Sequence, residues 1–433
     1  MSDQPRRTFV TRKRSFLTGL AATAMALLLA ADARADEVLR YNGATGAFID
    51  AFVSQGSGGL DDPDGLRFGP DGHLYVNSAG TDQALRYHGA TGAFIDVFVS
   101  AGSGGLSQPQ GLTWGPDGNL YLTGEGNDGV LRYNGATGAF IDFFVSSGSG
   151  GLDDAEDLTF GPDGNLYVTS GVTDEVLRYN GATGAFIDAF VTAGSGGLDS
   201  PHGLVFGPDG NLYASALTLD QALRFNGATG AFIDAFVAAA SGGLDEPRGL
   251  VFGPDGNLYV CSGDTSEVLR YNGATGAFID AFVTAGSGGL DVPASLTFGP
   301  DGNLYVSNET DPWQDLGNAL AGTNGDPLLE GFGTLIGGQP MSLELSNALE
   351  DSTTHMVVGI TAINANFKGG VLVPAPTLLI QDLSVSATGT QTLADNWPGS
   401  IPSAFTFYFQ HWIEDSAGPN GFAASNAVSG TTP

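Results

Sequence analysis

Cysteine, lysine and long apolar runs are scarce in this 433-residue sequence. The single cysteine, Cys261, cannot form a disulfide within the chain, so a large buried core has to stabilise the fold. Lysine and arginine together number 15 against 47 acidic residues, and the formal net charge is −32 at pH 7. A surface of this sign repels phosphate backbones and anionic lipids, which argues against nucleic-acid partners. Beyond the N-terminal region no apolar run is long enough to span a bilayer, so no transmembrane segment is predicted.

Residues 1–35 have the pattern of an export signal peptide. A basic region precedes the apolar stretch from Phe16 to Ala31, and the letters ARA directly before Asp36 match a small-residue cleavage site. The segments RRTFV and KRSFL resemble the twin-arginine export pattern, and the Sec route stays open as the alternative. Cleavage there would leave a mature chain with a net charge of about −36. We predict an exported protein that is extracellular, periplasmic or at the cell surface.

One 46-residue unit occurs six times without an insertion. Its GATG element recurs at Gly43, Gly89, Gly135, Gly181, Gly227 and Gly273. Its GPDG element recurs at Gly69, Gly115, Gly161, Gly207, Gly253 and Gly299. A fixed period of this size is typical of β-propellers and solenoids. The units are rich in glycine and contain no helix-length amphipathic segment, which excludes helical repeats.

Four short strands are expected in each unit. GLTFG and NLYVTS flank the PDG turn, EVLRY and AFIDAFV flank NGATG, and both turn sequences suit tight hairpins. Residues 37–53 contain a third and a fourth strand, whereas the last copy stops after its first and second, residues 295–308. Pairing of these two halves would complete one blade and close a ring. The sequence therefore predicts an all-β protein with a six-bladed β-propeller over residues 36–311.

The motif P-x-G-L-x-F-G-P-D-G-N-L-Y-V, followed by V-L-R-Y-N-G-A-T-G, resembles that of the NHL-repeat and gluconolactonase-like propellers. The resemblance covers about residues 36–310 and implies the type of blade. The family includes ligand-binding scaffolds, lactonases and lyases, so the resemblance does not decide between binding and catalysis.

The copies differ from one another mainly in two connections of each blade. Ahead of the first strand they read Asp64-Gly65, Gln110-Gly111, Glu156-Asp157, His202-Gly203, Arg248-Gly249 and Ala294-Ser295. After the second strand they read SAGTDQ, GEGNDG, SGVTDE, SALTLD and SGDTSE. Alternating strand direction places both sets on one face, around the channel mouth, and we call this the variable face.

Loops on a rigid scaffold usually carry recognition, so the variable face is the predicted binding site. Its predicted ligand-binding residues are Asp64, Gln110, Glu156, Asp157, His202 and Arg248. Drift of loops that serve no function would produce the same variation, and the sequence leaves both explanations open.

Several repeated or isolated residues have a structural interpretation. Arg40 falls diagonal to Asp50 on the neighbouring strand, which predicts a cross-strand ion pair in each blade rather than an anion site. His73 replaces the Asn of PDGN and His88 the Asn of YNG, so both are interpreted as turn substitutions. Cys261 stands where other copies have Asn, Thr or Ser and is predicted to be an unreactive strand residue.

The gluconolactonase-like resemblance implies an alternative, a metal-dependent hydrolase with its site at the channel mouth. Asp64, Glu125, Asn127 and Glu156 would then hold the metal, and calcium is the ion considered, because it takes several oxygen ligands. A zinc site would require clustered histidines, and the ring contains only His202. An asymmetric active site usually forces blades apart, so the near-identity of the copies favours a binding or structural role. No catalytic residue and no definite cofactor are predicted.

After Asp311 the repeat ends. Residues 312–327 are predicted to be a linker, and residues 328–433 a β-sandwich of about seven short strands separated by Gly, Pro, Asn and Ser.

The segments Phe367 to Pro376 and Phe407 to Pro433 resemble a C-terminal module that recurs in exported bacterial proteins. Such a module would serve cell-surface retention or oligomerisation. Trp397, Trp412 and Phe407 are predicted to be core residues, with carbohydrate contact as the alternative.

The near-identity of the copies and the variation on one face favour a binding function over catalysis. The prediction is an exported, acidic scaffold that binds an unknown protein or small ligand through the variable face, without catalysis. Cell-surface carbohydrate is one candidate ligand. The alternatives are the metal-dependent lactonase-like hydrolase and a surface structural protein that has no site.

Overall fold

The structure, a computed structural model, describes residues 36–309, 313–332, 335, 340–398, 401 and 405–432. These residues fall into two compact units that divide at residue 310. The predicted export signal, residues 1–35, lies outside the described residues and stays a prediction. In the described ranges no helix combines the length and apolar character that a membrane crossing requires.

The first unit consists of six four-stranded antiparallel sheets, the blades. The first strands are β3 (Pro63–Phe68), β7 (Leu112–Trp114), β11 (Ala155–Phe160), β15 (Pro201–Phe206), β19 (Pro247–Phe252) and β23 (Val292–Phe298). The second strands are β4 (Leu74–Ser78), β8 (Leu120–Gly124), β12 (Leu166–Ser170), β16 (Leu212–Ala216), β20 (Leu258–Ser262) and β24 (Leu304–Glu309). The third strands are β1 (Glu37–Tyr41), β5 (Gln83–Tyr87), β9 (Gly129–Tyr133), β13 (Glu175–Tyr179), β17 (Gln221–Phe225) and β21 (Glu267–Tyr271). The fourth strands are β2 (Phe48–Val53), β6 (Phe94–Val99), β10 (Phe140–Val145), β14 (Phe186–Val191), β18 (Phe232–Val237) and β22 (Phe278–Val283).

The first strands of neighbouring blades contact one another around a central axis, so the sheets radiate from it as a six-bladed β-propeller. One sheet combines both ends of the unit, in the order β2-β1-β24-β23. Its register pairs Glu37 with Asn308 and Tyr41 with Leu304. This confirms the predicted closure of the ring by two half-blades.

Short 3-10 turns connect the strands. They are Ser57–Gly59, Ala79–Thr81, Ser103–Gly105, Glu125–Asn127, Ser149–Gly151, Ser195–Gly197, Leu217–Leu219, Ser241–Gly243 and Ser287–Gly289 in the propeller, and Pro419–Gly421 in the second unit.

Side-chain capping explains why the repeat keeps the letters of its two hairpin turns. In β7–β8 the Asp117 carboxylate accepts hydrogen bonds from the Asn119 amide N–H at 3.0 Å and from the Tyr121 hydroxyl at 2.9 Å. In β9–β10 the Asn134 side-chain oxygen accepts the amides of Ala136 and Thr137 at 3.0 and 3.1 Å. These side chains supply acceptors that hold the turn backbone, which is the usual role of Asp and Asn there.

The repeated arginines form the predicted ion pairs. Arg40 donates from Nε to the Asp50 carboxylate at 2.9 Å, and its guanidinium lies 4.9 Å from the centre of the Phe52 ring. Asp50 lies directly opposite Arg40 rather than diagonal to it, because an irregularity between Arg40 and Tyr41 shifts the register by one residue. The same pair occurs in the other five blades, at Arg86–Asp96, Arg132–Asp142, Arg178–Asp188, Arg224–Asp234 and Arg270–Asp280.

Aromatic side chains stabilise the packing of blade against blade. Tyr305 lies between Phe52 of its own sheet and Phe68 of the next, with ring centres 4.8 and 5.0 Å apart and edge-to-face geometry. The hydroxyl of Tyr133 donates to the backbone oxygen of Ser103 in the preceding blade at 2.7 Å. Such aromatic pairs add to the energy of burying their area, so each interface is both apolar and directional.

The described part of the second unit contains ten strands. They are β25 (Trp313–Asp315), β26 (Leu328–Phe332), β27 (Pro340–Ser346), β28 (Thr353–Gly359), β29 (Ala362–Phe367), β30 (Gly370–Pro374), β31 (Leu378–Ser384), β32 (Gln391–Asn396), β33 (Thr406–Glu414) and β34 (Phe422–Thr431). A five-stranded sheet has the order β25-β34-β33-β28-β31, a three-stranded sheet the order β26-β27-β32, and β29 pairs with β30.

The five-stranded and three-stranded sheets share one buried cluster, in which Leu343 of β27 packs with Met356 of β28 and Phe409 of β33. Two sheets that share a core in this way form the predicted β-sandwich. Residues of the predicted linker belong to this unit, since β25 pairs with β34 and the Leu320 amide donates to the Ala424 oxygen at 2.9 Å.

The three aromatic residues predicted to lie in the core are buried. Trp397, Trp412 and Phe407 are 1%, 2% and 1% exposed. The alternative, carbohydrate contact by these rings, is therefore corrected, because none of them has a face open to solvent.

The close contact between Gly104 and Phe140 yields a test of blade packing. Gly104 has φ 69°, and a Cβ there would overlap the ring of Phe140 in the outermost strand of its blade. Gly104→Ala should therefore lower the free energy of unfolding by about 1–3 kcal/mol. Chemical denaturation would measure the loss.

Gly102→Ala is the matched control. Gly102 also has positive φ, 63°, but a Cβ there meets nothing within 4 Å, and Ala240 takes this place in another copy. It should cost about 1 kcal/mol or less. Equal losses in the two variants would contradict the packing argument.

Candidate functional site

The predicted site residues lie where the first strand of each blade reaches the central axis. In the β3–β4 pair, Pro63 lies opposite Ser78 and Leu66 opposite Val76, so Asp64 and Gly65 together oppose one residue, Asn77. The sequence predicted that Asp64 and Gly65 lie ahead of the first strand. In the structure they form a β-bulge at the start of that strand. Bulges redirect side chains, and this one directs position 64 into the central cavity.

Five of the six predicted ligand-binding residues line that cavity, namely Asp64, Gln110, Glu156, Asp157 and His202. The cavity has a volume of about 10 Å³, which holds one water molecule and no larger ligand. The sequence correctly brings these residues to one ring, but the structure leaves no space among them for a substrate.

The backbone itself narrows the channel. The Gly65 amide donates to the Gln110 oxygen at 3.0 Å, and the Gly111 amide to the Glu156 oxygen at 2.8 Å, so the first strands of neighbouring blades are hydrogen-bonded. A Cβ at Gly65 would overlap the Gln110 oxygen. Glycine is needed there because two backbones meet, which explains the recurring x-Gly pair.

Asp157 replaces that glycine in the third blade and braces the ring. Its two carboxylate oxygens accept the amides of Leu158 at 2.8 Å and Leu204 at 3.0 Å. Leu204 belongs to the next blade. Asp157 thus has a structural contact through both oxygens, and its ligand contact stays a prediction.

Glu156 and His202 contact each other across the ring. Oε2 of Glu156 lies 3.3 Å from Nε2 of His202, and the side chains are 15% and 17% exposed. Burial raises the pKa of Glu156 well above its ordinary range, and burial lowers the pKa of His202 to about 3. Burial thus disfavours the charged form of both groups, and with a pKa of about 3 His202 is a poor proton acceptor for catalysis.

Arg248 does not line the cavity. Its guanidinium donates to Oε2 of Glu309 at 2.8 Å and lies 3.7 Å from Oε2 of Glu246. Sequence comparison missed Glu309, although it occupies the same repeat position as Glu125, which it did identify. Glu125 accepts a hydrogen bond from Nε2 of Gln110 at 2.9 Å. Each of the two glutamates therefore binds one ring residue, Glu309 the charged Arg248 and Glu125 the neutral Gln110.

The four residues of the metal alternative are not arranged as a ligand set. The side-chain amide of Asn127 donates to the Gly105 oxygen at 2.7 Å, Glu125 is held by Gln110, and Glu156 faces His202. In the part of the chain that the structure describes, no group of three or more His, Cys, Asp or Glu is placed to hold a metal ion. Calcium takes six to eight oxygens, so this donor set does not fit it, and no reaction step is derived through a metal.

The loops of the variable face are braced across blades. In four blades an Asp with left-handed backbone, after the second strand, accepts an amide from the loop of the next blade. The pairs are Asp82 with Gln108 (2.8 Å), Asp128 with Asp154 (2.9 Å), Asp174 with Ser200 (2.9 Å) and Asp220 with Glu246 (3.1 Å). These contacts make the face a connected rim rather than a set of independent loops.

The comparisons with known proteins find relatives in structure only. No family model matches the chain, and no curated protein does. A gluconolactonase from Xanthomonas campestris is 17% identical over 65% of this chain and 97% of its own, with a TM-score of 0.47. Virginiamycin B lyase from Staphylococcus aureus is 15% identical over 56% and 79%, with a TM-score of 0.43.

A chain of a nidogen/laminin complex is 17% identical over 57% of this chain and 93% of its own, with a TM-score of 0.45. Each of these TM-scores is below 0.5, so the six-bladed fold rests on the sheet topology of this chain. The neighbours include enzymes and a binding protein, and at this identity the likeness concerns the fold alone.

The buried carboxyl of Asp64 predicts a pH dependence of stability. Burial raises the pKa of Asp64 to about 7, nearby Arg248 opposes that shift, and neighbouring carboxylates add to it. The folded protein therefore holds a proton that the unfolded chain releases near pH 4. Through this group, the free energy of unfolding falls as pH rises from about 4 to about 7.

Asp64→Asn should remove this component, so that its stability relative to wild type is greater at pH 8 than at pH 4.5. Denaturant titrations at both pH values would measure it. Asp153→Asn, which replaces an exposed carboxylate in a loop of the same propeller, is the control and should leave the profile of the wild type. A profile that Asp64→Asn does not alter would contradict the assignment.

Cys261 is fully buried in the second strand β20, as the sequence predicted. Burial raises the pKa of its thiol, which disfavours the reactive thiolate. We expect no labelling by a thiol reagent in native protein and one label per chain in denaturant, measured by mass spectrometry. Labelling of the folded protein at the rate of a free thiol would contradict this.

Proposed function

We propose that this protein is an exported binding scaffold that takes a protein partner or ligand on the variable face and performs no chemistry. One observation carries the proposal: Glu156 faces His202 and Gln110 is held by Glu125, around a cavity of about 10 Å³. A cavity of this size leaves little room for a substrate beside these residues, which supports recognition on the rim above.

The rim has the properties of a recognition surface. Its loops are braced by the Asp contacts between blades, which limits the entropy lost on binding. Val172 and Leu219 project from it and are 64% and 40% exposed. Exposed apolar side chains on a rigid, polar rim are suitable anchors for a partner.

Charge narrows the class of partner. Of the arginines in the propeller, six are paired with aspartates in the blades and Arg248 with Glu309. The strongly negative chain therefore disfavours nucleic acid and other polyanions. Export and cell-surface carbohydrate remain part of the proposal.

The test compares one face of the propeller with the other. Val172→Asp with Leu219→Asp changes the variable face, and Ala136→Asp changes an exposed turn on the opposite face. The wild type is used as bait against the surface and secreted fraction of the producing cells and a glycan array. We expect the first variant to weaken binding at least about tenfold and the second to leave it unchanged.

The lactonase alternative is tested in the same preparation. Metal content after dialysis and hydrolysis of lactones, with and without added calcium, are measured for the wild type and Glu156→Gln. We expect no hydrolysis above background. Hydrolysis that Glu156→Gln abolishes, or binding that the rim variant leaves intact, would overturn the proposed function.

A further inference from the structure

Two histidines lie side by side on the face opposite the variable face. His73 follows the PDG turn between β3 and β4, and His88 begins the turn between β5 and β6. Their ring centres are 5.4 Å apart, with the planes inclined by 52°. In the other five copies both positions are Asn, so this blade alone carries an imidazole pair.

As turn residues these histidines are inferior to the asparagines that they replace. The Asn119 side chain donates to Asp117 at 2.7 Å and accepts the Gly135 amide at 3.3 Å, whereas Nδ1 of His73 accepts only the Gly89 amide at 3.4 Å. The loss of hydrogen bonds weakens the turn, because a capping acceptor is worth a measurable part of its stability.

The second turn shows the same loss. The Asn134 oxygen accepts three hydrogen bonds, from the Ala136 amide and from the amide and hydroxyl of Thr137. Nδ1 of His88 accepts one, from the Ala90 amide at 3.3 Å. Turn geometry thus does not explain why both substitutions occur in one blade and face each other.

The pair borders a cleft of about 500 Å³ between the first and the closing blade. Two carboxylates border the same cleft, Asp71 and Asp301. Both are engaged, since Asp71 accepts the Tyr75 hydroxyl at 2.9 Å and Asp301 the Asn303 side chain at 2.8 Å. Each carboxylate also lies near a guanidinium, Asp71 3.7 Å from Arg86 and Asp301 3.9 Å from Arg40. The carboxylates are therefore paired, and the two imidazoles are the candidate ligands of the cleft.

We propose that His73 and His88 together form a binding site for one borderline divalent transition metal, of the class of Zn²⁺, Ni²⁺ and Cu²⁺. Imidazole nitrogen suits these ions, whereas calcium and magnesium require oxygen ligands. Nδ1 of each ring faces the backbone, so Nε2 is the ligating atom. Ligation through Nε2 requires the tautomer with the proton on Nδ1, so the hydrogen bonds from the Gly89 and Ala90 amides to Nδ1 would be lost on binding.

Two protein ligands make an open site, completed by water. This agrees with the finding that, across the described ranges, no group of three or more metal-ligating side chains occurs. The site is independent of the proposed function, because it lies on the opposite face and uses none of the ring residues.

The repeat itself supplies the variants for the test. His73→Asn, His88→Asn and the double variant restore the residues of the other five copies, so each should fold and be at least as thermally stable as the wild type. Untagged full-length protein is titrated with NiCl₂ and ZnCl₂ by calorimetry. We expect one equivalent in the wild type, at least about tenfold weaker binding in each single variant, and no such binding in the double variant.

A gain-of-function variant completes the test. Asn119→His with Asn134→His copies the pair into the next blade, where the same turns provide the same backbone. We expect a second equivalent of Ni²⁺, and no response to CaCl₂ in any variant.

Three results would overturn the proposal. The first is a wild type that binds neither ion, and the second a double Asn variant that keeps the wild-type stoichiometry, which would assign the ion to the acidic surface. The third is a transplanted pair that adds no equivalent, which would show that two imidazoles in this geometry are not sufficient.

Discussion

The antiparallel pairing of β1 with β24 is the contact on which the rest of the structure depends. It joins residues that are far apart in the sequence, Glu37 with Asn308 and Tyr41 with Leu304, and so converts a row of sheets into a ring. Without it, the first and last half-blades would each expose unpaired strand edges. With it, every blade has a neighbour on both sides, and Tyr305 can pack against Phe68 across the junction as its equivalents do elsewhere.

Closure also sets the character of the central ring. At two junctions the first strands meet so closely that a backbone amide of one blade bonds to a carbonyl of the next, and glycine is required at Gly65 and Gly111. The side chains directed to the axis then have little space except toward one another. Glu156 faces His202, and Gln110 holds Glu125. A ring packed this closely around a cavity of about 10 Å³ is well suited to rigidity and poorly suited to enclosing a substrate, which is why binding is assigned to the rim.

Comparison among the six copies correctly predicted which residues lie at the central ring, but it did not predict which side chains contact one another. It brought Asp64, Gln110, Glu156 and His202 to the same place, because residues at equivalent repeat positions are related by the symmetry of the propeller. It grouped Arg248 with them, yet that side chain turns to Glu309, which occupies the repeat position of Glu125 in the last copy. It explained His73 and His88 separately as turn substitutions, since nothing in the linear order says that the two hairpins lie against each other.

By itself, the sequence determined the number of blades, their four strands, the closing half-blades, the cross-strand Arg–Asp pairs, the strand position of Cys261 and the burial of Trp397. Those features follow from local patterns, namely strand alternation, turn residues and a period of constant length, and each is repeated often enough to be unambiguous. Only the tertiary structure decided how narrow the channel is, that Asp157 braces two amides, and that two imidazoles share a cleft. These features depend on how closely the backbones of neighbouring blades approach one another, to within a few tenths of an ångström. No local pattern of residues along the chain encodes that approach.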